Sequence, residues 1–306
     1  MTVRVRILAG AGPDTGLGHV TRCHALAEAL RAQGADVTLE TAEPDWVRDA
    51  IGLKTEPFGT RPVDLIVLDR YGTSAQERAD LKAQCRKLAV IDDHFSPPSE
   101  ADIVINHNLY GDPDRYDVFP GITVLAGTDY TLLRPGFETL RGRPSPVEAR
   151  IVVALGGGAY AAKGIAIANM LRTTFQTGVD LVLNASMAKE ASGVNAGVRI
   201  VSGNDALDAM AGATVYVGGL GVAMIEARTL GLFVIGIPTA ANQDFAVEWA
   251  NAIGFPVLGG IPESDEDFRA LADAVRKGLG QGRELPAKPD GTGAATTASA
   301  LLSELS

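Results

Sequence analysis

Short β-branched runs alternate with amphipathic segments along almost the whole chain, and this alternation constrains the fold more than any other feature. In the first half the runs fall at 3–9, 36–40, 64–68, 87–91, 103–105 and 123–125. Between the first two, residues 20–33 place Leu26, Ala27, Ala29 and Leu30 at helical spacing. Strand and helix in turn, joined by short loops, predict parallel sheets covered by helices on both faces. The pattern pauses at 133–150, where Pro135, Pro144, Pro146 and scattered charges show no period and predict a linker. A second series opens at Ile151-Val152-Val153-Ala154 and continues at 180–183, 198–201, 214–217 and 233–237, and 292–305 reads as a terminal helix. Two doubly wound, Rossmann-like α/β domains facing a central cleft are therefore expected, with boundaries at 1–140 and 141–290 and a closing helix in 291–306.

Length and composition exclude several classes of function. A chain of 306 residues, 46% apolar and 21% charged, can bury two ordinary cores. Its apolar runs are broken by Gly, Asp or Pro, so none is expected to insert in a membrane. The first residues lead directly into a strand pattern rather than a secretory apolar block, and Cys23 and Cys85 lack metal or disulfide spacing. A cytoplasmic setting with reduced thiols is expected. A net charge of −10 argues against nucleic acid as partner, although helix N-termini can still bind a small anion. No pair among His19, His24, His94 and His107 has metal-ligand spacing with carboxylates or thiols.

In parallel sheets ligands bind beyond the carboxyl ends of the strands, and several such ends carry polar residues. The first is Gly10-Ala11-Gly12-Pro13-Asp14-Thr15-Gly16-Leu17-Gly18-His19. It misses the dinucleotide fingerprint, because Thr21 stands where the third glycine belongs. Instead a histidine opens the helix, where the dipole disfavours imidazolium and suits a proton acceptor; a simple helix cap is an equally open role. Asp69 with Tyr71, then Asp92-Asp93, stand at two further ends, and each acid could contact a sugar, orient an imidazole or cap a helix. Asn106 and Asn108 add amides at a fourth, while His24 and His107 read as ordinary polar residues. In the second half, Gly156-Gly157-Gly158 and Gly218-Gly219-Leu220-Gly221-Val222-Ala223 are glycine turns of the kind that cradle anions. Glu226, one turn further, could bridge ribose hydroxyls or simply be solvated, and Asn242-Gln243 brings two more amides.

In order, Gly16-x-Gly18-His19-x-x-Arg22, Asp69-x-Tyr71-Gly72, Asp92-Asp93, Asn106-x-Asn108-x-Tyr110, Tyr130-x-Leu132-Leu133-Arg134, Leu155-Gly156-Gly157, Glu226, Asn242-Gln243 and Asp290-Gly291-x-Gly293-Ala294 resemble the PseG-like UDP-sugar hydrolases. That family is related to the MurG-like glycosyltransferases and the spore-coat polysaccharide proteins. The resemblance spans nearly the whole chain. It implies a GT-B-like fold, with a sugar-binding catalytic domain first and a nucleotide-binding domain second. It also implies hydrolysis of a UDP-2,4-diacetamido-2,4,6-trideoxy-β-L-altropyranose type substrate on the route to pseudaminic acid, with inversion, release of UDP and no metal or other cofactor. His19 would be the general base. Gly18, Arg22, Asp69, Tyr71, Asn106 and Asn108 would surround the sugar, and Gly156, Gly157, Gly221, Val222, Ala223, Glu226, Asn242 and Gln243 the nucleotide. This chain departs from the pattern at Gly158-Ala159, where an acidic residue is usual, and at Val222 and Ala223, where Ser and Thr are usual. A GT-B glycosyltransferase using a UDP-sugar donor is the competing expectation, and a non-catalytic nucleotide-sugar binding protein a third.

Overall fold

The computed structural model describes the chain other than residues 1, 13–15, 145, 157–159, 241 and 242, and other than the side chains of 50, 51 and 204. Gly157, Gly158, Ala159 and Asn242 of the expected nucleotide site therefore lie outside the described residues. Strands β1 (Arg4–Ala9), β2 (Asp36–Thr41), β3 (Val63–Asp69), β4 (Cys85–Ile91), β5 (Ile103–Asn106) and β6 (Thr123–Ala126) form one sheet in the order β2-β1-β3-β4-β5-β6. Strands β7 (Arg150–Ala154), β8 (Gly178–Val182), β9 (Val198–Val201), β10 (Val215–Gly218) and β11 (Phe233–Gly236) form a second, ordered β11-β10-β7-β8-β9. Every pairing in both sheets is parallel.

The continuous apolar runs follow from burial on both faces of the first sheet. Val5, Ile7 and Ala9 of β1, Leu65 and Val67 of β3, and Ala89 and Ile91 of β4 enter one core cluster. Leu8, Ile66, Leu68, Leu88 and Val90, the alternate residues, enter another. Period-two alternation is present but both phases are apolar. Each sheet also reverses its winding direction once: the first chain segment steps from β1 outward to β2 and returns to β3, and the second steps out through β8 and β9 before returning to β10. The loops at the carboxyl ends of β1 and β3 diverge at such a reversal, which opens a crevice there.

The contacts divide the chain into one unit of residues 1–48, 52–135 and 288–306 and another of 49–51 and 136–287. The C-terminal helix Gly293–Ser303 belongs to the first unit, where Ala294, Ala298 and Leu301 share a core with Leu26 and Leu30 of the helix Gly18–Ala32. Small residues allow this close approach. At Gly293 a side chain would collide with the backbone nitrogen and oxygen of Thr131, which have no freedom to retreat. Gly293→Ala is expected to cost about 1–3 kcal/mol by overpacking, measured by urea unfolding; an unchanged midpoint would contradict this seating.

The stretch 133–150 differs from the irregular linker its composition predicts. It contains a helix, Phe137–Arg141, entered through Gly136 at φ +104°. Phe137 and Leu140 are both buried, and this pair three residues apart accounts for the turn of helix. Five residues are too few for a period to be visible in sequence.

Candidate active site

The chemistry of the first unit gathers where β1, β3, β4 and β5 end. The helix after β1 begins at Gly18, two residues earlier than its apolar spacing suggests, with Leu17 as N-cap and no side-chain capping bond. His19 is therefore not the cap. One helical turn places His19 and Arg22 on the same side, facing Asp69 at the last position of β3.

Arg22 organises the cluster. It is buried, and its guanidinium carries five hydrogens, each of which has an acceptor. Nε and Nη2 donate to Asp69 at 2.7 and 2.6 Å. Nη1 and Nη2 donate to Asp93, which follows β4, both at 2.9 Å. The remaining Nη1 hydrogen meets Nε2 of His107, after β5, at 2.8 Å. Both carboxylates are thus bound in fork geometry, the strongest arrangement available to a guanidinium. Arg22 also lies 3.1 Å from Nδ1 of His19 through Nη2, but no hydrogen is left for that contact.

This count decides how His19 is protonated. Its Nδ1 is 2.5 Å from Oδ1 of Asp69. Burial pushes the Asp69 carboxyl up, but the charges of Arg22 and His19 and their hydrogen bonds outweigh it and hold the group well below the usual carboxylate range. An ionised carboxylate only accepts, so Nδ1 must carry the hydrogen and donate it. In the neutral ring, Nε2 then holds the open lone pair, and among the described residues no hydrogen bond reaches it. Asp93 is likewise ionised: burial raises it and Arg22 overrides burial. Cys23, on the same helix, donates from Sγ to Oδ2 of Asp69 at 3.2 Å, and burial with Asp69 pushes its thiol far above the ordinary value.

The walls are aromatic and amide. Tyr71 is 45% exposed, stands edge-on to the His19 ring with centroids 4.7 Å apart, and donates its hydroxyl to Oδ2 of Asp93. His94 tilts against the other side of Tyr71 at 5.8 Å. Asn108 donates from Nδ2 to Oδ1 of Asp93 at 2.7 Å. Asn106 is wholly buried, with its amide engaged by Tyr116 and Asn108, so it supports this wall from behind. Asp92 ties the following turn by accepting from the backbone of His94 and Ser96 and from the Tyr116 hydroxyl. In that turn Phe95 adopts φ +54°, a conformation rare for a bulky side chain and common beside functional sites.

His107 is the residue that sequence reasoning missed. It is buried, and its ring is pushed down to about 3, first by burial and then by Arg22, so it is a neutral acceptor. Its one sequence signal was its place at a strand end between two asparagines.

In the second unit, Gly156 follows β7 at φ +84°, and Gly221 caps the helix Val222–Thr229 after β10. A side chain at Gly218 would collide with the Ala154 carbonyl, and the Tyr216 hydroxyl bonds the Gly219 carbonyl at 2.8 Å beneath the turn. Val222 and Ala223 are half-buried in the first turn, and Glu226 is buried on the same helix at 3% exposure. Gln243 uses Oε1 to accept from the backbone of Thr239 at 2.8 Å. Among the described residues no cluster of His, Cys, Asp and Glu is arranged to hold a metal ion, and no helix is long and apolar enough to cross a membrane.

No protein-family model matches the chain, and no curated protein matches it in sequence. Solved structures do match in shape. The glycotransferase of kitacinnamycin is 14% identical with a TM-score of 0.67, covering 100% of each chain. The Streptomyces sp. SF2575 glycosyltransferase SsfS6, complexed with thymidine diphosphate, is 14% identical with a TM-score of 0.60, covering 99% of this chain and 96% of its own. MurG of Acinetobacter baumannii is 14% identical with a TM-score of 0.59, covering 100% of this chain and 99% of its own. With the two parallel sheets, these likenesses show a GT-B-like fold.

Proposed function

We propose that the chain is a nucleotide-sugar-dependent enzyme that transfers the glycosyl group to a hydroxyl, with His19 as general base. The observation carrying this reading is the Asp69–His19 pair, which leaves Nε2 as the one lone pair of the ring without a protein partner among the described residues. Nε2 takes the proton of the attacking hydroxyl as its oxygen bonds the anomeric carbon. The bond from that carbon to the phosphate oxygen breaks, and the nucleoside diphosphate leaves with the electron pair. Attack opposite the leaving group inverts the centre. Asp69 holds the ring and stabilises the imidazolium that forms. The glycosyltransferase neighbours, one of them solved with thymidine diphosphate, support a nucleotide-sugar donor.

On this reading Gly18, Tyr71 and Asn108 border the sugar, with Arg22, Asp69 and Asn106 behind them. Amides at Gly156, Gly221, Val222 and Ala223 would serve the diphosphate, with the dipole of the helix Val222–Thr229 assisting. Gly157, Asn242 and Gln243 complete the proposed nucleotide contacts. Glu226 would accept from ribose hydroxyls. Glu226→Gln should therefore weaken binding of the nucleoside diphosphate by about 1.5–3 kcal/mol in calorimetry, with a smaller change in turnover at saturation. Unaltered affinity would remove Glu226 from the site.

Water is the competing nucleophile, and the ordered series from Gly16-x-Gly18-His19-x-x-Arg22 to Asn242-Gln243 favours it. The same base would then hydrolyse a UDP-linked diacetamido-trideoxy-hexose of the pseudaminic acid route. Incubation with UDP-, dTDP-, GDP- and CMP-sugars, with and without an acceptor panel, separates the two. Nucleotide release that requires an acceptor supports transfer. Equal release without one, with the sugar recovered free, establishes hydrolysis.

A further inference from the structure

Nη2 of Arg22 poses a problem for a base that works through Nε2. It lies 3.1 Å from Nδ1 of His19, close enough to donate to that nitrogen. A hydrogen bond there would leave Nδ1 unprotonated, move the ring hydrogen to Nε2 and remove the lone pair that faces the reaction. Two acceptors prevent this. Oδ1 of Asp69 takes one Nη2 hydrogen at 2.6 Å, and Oδ2 of Asp93 takes the other at 2.9 Å.

We propose that Asp93 is a positioning residue that selects the tautomer of His19 by holding the second Nη2 hydrogen of Arg22 away from Nδ1. Asp93 is built for this task. It is buried, and its oxygens are reached by Arg22 twice, by Asn108 and by Tyr71. Its backbone carbonyl accepts from the Tyr110 hydroxyl at 3.1 Å, which fixes the main chain as well. The carboxylate therefore cannot rotate away without breaking several bonds together. His107 takes the outer Nη1 hydrogen, which does not face His19, so its role is distinct. Asp93 does not touch His19 in any hydrogen bond. It acts through Arg22, and its anionic charge further favours a cationic ring in the transition state.

The inference rests on His19 being the base, but it can be read without turnover. Nitrogen-15 NMR of the histidine-labelled protein distinguishes the two neutral tautomers by the shifts of Nδ1 and Nε2, with the His19 signals assigned by their loss in His19→Gln. The wild type should show hydrogen on Nδ1 of neutral His19. In Asp93→Asn the amide presents one donor to the guanidinium, and the Nε2-protonated form should appear; Asp93→Ala should show it more strongly. His107→Leu should leave the tautomer of His19 unchanged. In the assay, Asp93→Asn should lower kcat by about 10- to 100-fold, part of the range for a general base, while KM for the donor changes by less than about threefold.

The pH profile is a second readout. His19 is faced by Asp69, Arg22, Asp93 and Tyr71, with His107 and Cys23 behind them and His94 beyond Tyr71. Removing one anion from this group disfavours the imidazolium, so the acid limb of kcat should move to lower pH in Asp93→Asn. An Nε2-protonated ring in the wild type overturns the proposal, whatever the variants do. So does an unchanged tautomer in a folded Asp93 variant that has lost activity. A changed tautomer with full activity leaves Asp93 its positioning role and removes His19 as base.

Discussion

His19→Ala should lower turnover by about 10²–10⁴-fold, the usual contribution of a general base, with nucleoside diphosphate affinity retained. The alanine removes the one imidazole nitrogen presented outward by the Asp69–His19 pair, while Arg22 keeps its forks on Asp69 and Asp93. The residual rate would come from donor binding and from electrostatic stabilisation of the leaving diphosphate, neither of which depends on the ring. The comparison needs turnover and binding on the same preparation: single-turnover rates with a saturating donor, and calorimetry with the diphosphate. Near-wild-type turnover would eliminate the mechanism. A parallel loss of diphosphate affinity would instead mean that His19 contributes to binding. His19→Gln is a useful companion, because its side chain can still bond Asp69 but offers little basicity; it should be nearly as slow as the alanine variant.

Arg22→Met should be the most destabilising single change in the first unit. Removing the guanidinium leaves Asp69 and Asp93 buried without their common cation, and breaking a buried ion pair from one side typically costs about 3–5 kcal/mol. The dependence on pH distinguishes this cause from lost packing. In the wild type both carboxyls are held below their unfolded values, because Arg22 outweighs burial. Their contribution is therefore present above the ordinary aspartate value of about 4 and is lost as pH falls through the lower folded values. In the variant burial is no longer opposed by Arg22, so the folded carboxyls rise. They then destabilise the protein at neutral pH and cease to do so once protonated. The deficit of Arg22→Met should accordingly be largest near pH 7 and shrink below about pH 4. Urea unfolding of both proteins across this range provides the test. A deficit independent of pH would assign the loss to packing and not to charge.

Much of the architecture was legible because backbone propensity and burial act on neighbouring residues. The β-branched runs became strands within one or two residues of their expected limits, since Val5, Ile7, Leu65 and Val67 face one core while Leu8, Ile66 and Leu68 face another. The helix at 137–141 was not legible, being shorter than two turns and held by the burial of Phe137 and Leu140. The strand ends likewise marked His19, Asp69 and Asp93 as polar residues at positions where ligands bind in parallel sheets. The sequence alone thus determined two series of parallel strands and the chemistry available at their carboxyl ends. Which of those residues meet was decided by the strand order. Asp69 is 47 residues from Arg22, Asp93 is 71 and His107 is 85, and they converge only because β1, β3, β4 and β5 are successive neighbours in one sheet. No local pattern encodes that His107 accepts the fifth hydrogen of Arg22, or that this seating leaves Nδ1 of His19 to Asp69. Hydrogen-bond saturation depends on all the donors and acceptors enclosed together, and those are assembled by tertiary structure.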